Sequence, residues 1–114
     1  MILTREEIIK MGAARKVEKV KVPEWKGDVY VREITAGEYD TLQMAAYTAS
    51  QTGAQPQVRA NWVAAFCCDA DGNRIFQDAD IKTISAMGAK AVDRIYEAGQ
   101  KLNALDEADE LEKN

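Results

Sequence analysis

Between Lys16 and Ile34, apolar residues recur at every second position in two runs, a spacing that suits a strand and defeats a helix. The first run, Lys16 to Val22, puts Val20 and Val22 on one face. The second, Asp28 to Ile34, sets Val29, Val31 and Glu33 on one side and Tyr30, Arg32 and Ile34 on the other. Pro23-Glu24-Trp25-Lys26-Gly27 joins them, a turn-rich connector of hairpin length. An N-terminal β-hairpin is the expectation.

Helical signals surround it. Thr4-Arg5-Glu6-Glu7 has capping-box spacing and should open a short helix to about Met11, ended by Gly12. Thr35-Ala36-Gly37-Glu38 repeats that spacing and starts a second helix to about Ser50, with Tyr39, Leu42, Ala46 and Ala49 on one stripe. Residues Gln51 to Pro56 read as a loop. Val58, Trp62 and Phe66, with Ala65 beside them, predict a third helix. Asp69 to Arg74 reads as a tight polar turn leading to Ile75 and Phe76. Asp78 is then expected to cap a helix carrying Ile81 and Ile84, and a last helix runs from about Lys90 with Val92, Ile95, Gly99 and Leu102 on one face. The expected class is α+β, mainly α-helical, with four or five short helices and the N-terminal β-hairpin. The sequence holds no internal repeat.

A chain of 114 residues makes one domain, here expected at residues 1–104. Residues 105–114 carry five acids (Asp106, Glu107, Asp109, Glu110, Glu112) against one base, Lys113. That segment therefore holds the whole net charge of −4, leaves the body balanced, and is expected to fray. A balanced body has no electrostatic footprint for general nucleic-acid binding, and the cluster Arg15, Lys16, Lys19 and Lys21 is diluted by Glu18 and Glu24. The opening Met1-Ile2-Leu3-Thr4-Arg5-Glu6-Glu7 is charged too early for a secretory leader. Trp62 to Cys68, the longest apolar run, is too short to span a bilayer. The two cysteines, Cys67 and Cys68, are adjacent, a poor geometry for a disulfide and consistent with a reducing compartment.

Catalytic chemistry finds little to use. The chain has no histidine, hence no ready general base near neutral pH and none of the commonest zinc ligand. Cys67 or Cys68 would be a nucleophile only if a neighbour lowered its pKa; the plain alternative is a buried apolar filler. Asp69-x-Asp71-x-Asn73 matches the first three ligand positions of a calcium loop. Its glycine, Gly72, falls two positions early, and Asp80 stands where a glutamate would be bidentate. A surface turn explains the same residues, and a calcium-responsive regulator is kept only as a rival reading. The glycines are scattered singly, so no phosphate loop is present. The expectation is a protein without catalytic residues, cofactor or metal.

Taken in order, Val22-Pro23-Glu24-Trp25-Lys26-Gly27-Asp28-Val29-Tyr30-Val31-Arg32-Glu33-Ile34-Thr35-Ala36, then Arg59-Ala60-Asn61-Trp62-Val63-Ala64, then Cys68-Asp69-Ala70-Asp71-Gly72-Asn73-Arg74-Ile75-Phe76, and finally Leu102-Asn103-Ala104-Leu105 with Glu112-Lys113-Asn114, resemble the tail assembly chaperones of lambda-type siphophages and prophages. The likeness spans nearly the whole chain in short, degenerate elements. It implies a chaperone that coats the long helical tape measure protein, keeps it soluble and helps recruit tail tube subunits. Such a protein works in the host cell cytoplasm, away from nucleic acid and membrane, and leaves before the virion matures. Self-association would suit the coating of a long partner. Candidate partner-binding residues are Trp25, Trp62, Phe66 and Phe76; for Trp62 and Phe66 a place in the core is the competing reading. The family often makes a longer form by ribosomal frameshifting, and Glu112-Lys113-Asn114 is compatible with a slippery run of codons. The alternative reading is a structural or adaptor subunit of a phage particle, such as a head–tail connector or tail completion protein.

Overall fold

The computed structural model describes residues 1–53 and 57–104. The acidic segment 105–114, expected to fray, lies outside them. Among the described residues the order is α1 (Arg5–Ala13), β1 (Val17–Val22), β2 (Gly27–Arg32), α2 (Ala36–Thr52), α3 (Val58–Phe66), β3 (Cys67–Cys68), α4 (Ile81–Ser85) and α5 (Ala89–Leu102), with single 3₁₀ turns at Pro23–Trp25 and Asp78–Asp80. The class is α+β, as expected.

Both capping boxes form. The Thr4 hydroxyl accepts the Glu7 N–H at 3.3 Å while the Glu7 carboxylate accepts the Thr4 N–H at 3.0 Å. Thr35 and Glu38 do the same at 3.1 and 2.9 Å. Each box satisfies N–H groups that a helix start leaves without partners. Three details depart from expectation. α2 continues through Gln51 to Thr52, residues expected in a loop, before Gly53 ends it; residues 54–56 of that loop lie outside the described residues. α1 runs through Gly12 to Ala13, and the chain becomes extended only at Ala14 (φ −76°, ψ 129°). Asp78 does not cap the helix after it: its carboxylate accepts the Arg74 guanidinium at 3.0 Å, and the Asp80 carboxylate takes the Gln77 N–H at 2.7 Å instead. A 3₁₀ turn placed before α4 moves the start one residue upstream.

The hairpin is one part of a three-stranded antiparallel sheet in the order β1-β2-β3. Its register pairs Val20 with Val29 and Glu18 with Val31, while Cys67 and Cys68 of β3 face Val31 and Tyr30. A two-residue strand leaves no periodicity to read, which is why β3 escapes sequence analysis. Val22, Val31 and Cys67 are buried, and Val20 and Val29 pack against the same core. α3 supplies the largest single share of that core: Ala60, Trp62, Val63, Ala64, Ala65 and Phe66 are all buried. From Ala60 to Phe66 only Asn61 is polar, and a helical stretch that apolar belongs inside, between other elements. α5 lays Ala91, Val92, Ile95 and Gly99 over it. Gly99 is there by necessity, since a Cβ at that position would stand 2.1 Å from the Phe66 ring.

Two polar devices fasten the end of β2. Arg32, buried in spite of its charge, donates Nε to the Ala65 carbonyl at 3.0 Å and its terminal nitrogen to Glu38. Burial alone would raise the Glu38 carboxyl, but the Thr35 N–H and the Arg32 guanidinium outweigh it and hold it low. Asn103, just past α5, accepts the Ile34 N–H at 2.9 Å and donates to the carbonyls of Arg32 (3.2 Å) and Gly99 (2.9 Å). Its side-chain amide serves as a strand partner where β2 has none.

Candidate docking surface

The aromatic residues proposed from the sequence as partner contacts separate into two groups. Trp62 is 7% exposed and packs edge-on against Tyr39 (centroids 5.4 Å apart, 70° between planes) and obliquely against Phe66 at 5.7 Å. Phe66 is wholly buried. These two are core residues, as their spacing on α3 also allowed, and reach no surface. Phe76 is half-buried against the core. Trp25 alone is open, 47% exposed in the connector between β1 and β2. It is held out by its neighbours: Lys26 adopts the left-handed region (φ 53°), and Glu24 pairs with Arg94 of α5 at 2.6 Å. That ion pair keeps the Glu24 carboxyl low, with Lys90 adding to it, and ties the connector to α5.

The larger apolar surface lies elsewhere. α1 buries none of its residues, and Ile8, Ile9 and Met11 are each more than half exposed. Ile2 and Leu3 extend the patch before the helix. Leu3 and Ile8 occupy the two staple positions around the Thr4 cap. α2 contributes a second strip. All four residues of its predicted stripe, Tyr39, Leu42, Ala46 and Ala49, are half-buried, and Tyr39 and Leu42 pack against the core. Its outer side exposes Met44 and Tyr47, and Met44 stands over a shallow trough lined also by Thr41, Ala45, Thr48 and Ala49. Sequence reasoning missed both strips. Consecutive Ile8-Ile9, and Met44 and Tyr47 off the stripe of α2, were the available signal: large apolar residues with no place in the core pattern.

Other possible chemistry is absorbed by structure. The Asp69 carboxylate accepts the N–H groups of Asp71 and Asn73, both at 2.9 Å, and those bonds, led by that from Asn73, hold it low. The turn thus satisfies itself, with Gly72 at φ +86° where a side chain would be strained. Among the described residues no group of three or more His, Cys, Asp or Glu is placed to hold a metal ion. Both cysteines are free and buried. Burial pushes the Cys67 thiol up to about 12, and the adjacent Cys68 adds to it. Among the described residues no helix is long and apolar enough to cross a membrane.

No protein-family model matches the chain, and no curated protein matches it either. Among solved structures, the tail assembly chaperone of bacteriophage HK97 has a TM-score of 0.61 to it, over 89% of this chain and 97% of that one, at 16% identity. Identity that low transfers architecture, not individual residues. The chain has the fold of that phage tail assembly chaperone.

Proposed function

We propose that this protein is a non-catalytic phage tail assembly chaperone, which binds and solubilises the tape measure protein and helps recruit tail tube subunits. The fold it shares with the HK97 protein supports a role in tail assembly. The observation that carries the reading further is α1, a helix with no buried residue and three large apolar side chains turned to solvent. A long helical client carries apolar stripes that need a partner until their final neighbours arrive, and helix-on-helix docking is the economical way to cover them. A nine-residue helix is too short to be stable alone in water, so packing against a client would reinforce it. In this reading the protein acts in the host cytoplasm and is absent from the finished virion.

Co-expression with the tape measure protein of the same phage tests it. The wild-type chain should keep that protein in the soluble fraction. A variant with Ile8→Glu, Ile9→Glu and Met11→Glu should weaken binding about tenfold, a loss of about 1.4 kcal/mol, and lower the soluble fraction with it. Its own melting temperature should stay unchanged, because none of the three is buried. A wild-type chain that leaves the tape measure protein insoluble rejects the proposal. Recovery of the protein in stoichiometric amount from purified virions, by mass spectrometry, would select the adaptor reading instead.

A further inference from the structure

The sheet has an open edge. Lys16 and Glu33 are joined by a backbone bond, the Glu33 N–H to the Lys16 carbonyl at 2.9 Å. In an antiparallel pair, bonded and non-bonded positions alternate. Combined with the register, this makes Glu18, Val20 and Val22 the residues whose backbone faces β2. Val17, Lys19 and Lys21 therefore point their N–H and C=O groups the other way. The far side of the pair agrees with this phase, since the Arg32 carbonyl and the Ile34 N–H turn away from β1 to meet Asn103. Among the described residues, none of the outward groups of Val17, Lys19 and Lys21 has a hydrogen-bond partner. Every residue of β1 before Val22 is at least partly exposed.

We propose that β1 is a strand-addition site for an extended, acidic segment of another protein. The side chains flanking the free backbone decide its chemistry. Lys19 and Lys21, two of the three outward-bonding residues, are exposed, and neither takes part in an ion pair among the described residues. An added strand carrying carboxylates at alternate positions would set them beside these lysines, where opposite charges on neighbouring strands stabilise pairing. A second copy of this chain is a poor occupant. An antiparallel β1–β1 pair centred on Lys19 would set that lysine opposite its own copy, and like charges there oppose pairing. The lysines that keep this edge from joining itself are the ones that choose an acidic guest. The site is separate from α1, so it stands or falls independently of client binding there.

Amide hydrogen exchange on the full-length, isotope-labelled protein tests the proposal. The probe is a blocked peptide of about eight residues, an ordinary strand length, in which glutamate alternates with valine and threonine. Its counterpart carries lysine in place of glutamate. The acidic peptide should slow exchange at Val17, Lys19 and Lys21 by about tenfold, and the effect should weaken in high salt. The lysine peptide should leave those amides unchanged, and so should the acidic peptide with Lys19→Glu plus Lys21→Glu. Equal effects from both peptides, or protection that misses these three amides, would overturn the proposal and leave the lysines as edge protection only. Should the double variant fail to fold, the two peptides on the wild-type chain still decide.

Discussion

Gly99 and Phe66 show how little room a single residue can have in a core this small. The Phe66 ring fills the space where a Cβ on α5 would be, so Gly99→Ala forces either the ring or the helix to move. Overpacking of this kind costs about 1–3 kcal/mol, and urea denaturation should show a loss near 2. Adding Phe66→Leu should make the double variant less destabilised than the sum of the two changes, the mark of direct contact. An unchanged midpoint for Gly99→Ala would mean that the approach is looser than the structure has it. Cys67 makes a different claim. Its thiol ionises near 9 when unfolded but near 12 when folded, so the proton is lost first from the unfolded chain. Its stabilising effect is complete below pH 9 and declines as pH rises towards 12. Between pH 8 and 10 the wild-type chain should therefore lose about 1.4 kcal/mol more than Cys67→Ala does. Parallel pH slopes for the two proteins would refute this.

At the level of elements, the junction between α5 and β2 hangs on one side chain. Asn103→Ala would leave the Ile34 N–H and the Arg32 carbonyl without partners in a partly buried place. That should cost about 1–3 kcal/mol and speed exchange of the Ile34 amide. No acceleration at Ile34 would show that water or a neighbour replaces the amide. The elements themselves were largely readable. Two capping boxes, a period of two through the hairpin and the spacing of Trp62 and Phe66 announced α1, α2, the β1–β2 pair and α3. What resisted was short or positional: Cys67 and Cys68 are too brief a strand to show a pattern, and Asp78 lost the helix start to a 3₁₀ turn. Arg32 was legible as alternating with Val31, but not as buried. Only Glu38 and the Ala65 carbonyl, brought there by α2 and α3, make that position tenable for a charge.

Across the whole molecule, the division between core and surface is uneven. The sheet, α3 and α5 hold nearly all of the buried apolar residues, while α1 and the outer side of α2 hold several of the largest exposed ones. The sequence displayed all of these residues but not which of them had a partner, because that depends on where α1 sits relative to the rest. This is why aromatic size pointed to Trp62 and Phe66, which turned out to be internal, while Ile8, Ile9 and Met44 passed as ordinary helix residues. The same uneven division separates the two tryptophans, Trp25 in the wet connector and Trp62 against Tyr39 inside. Intrinsic emission from this protein is accordingly two signals in one spectrum. A soluble quencher dims the first indole and hardly reaches the second, so an encounter at the hairpin tip is distinguishable from loss of the fold without attaching any dye.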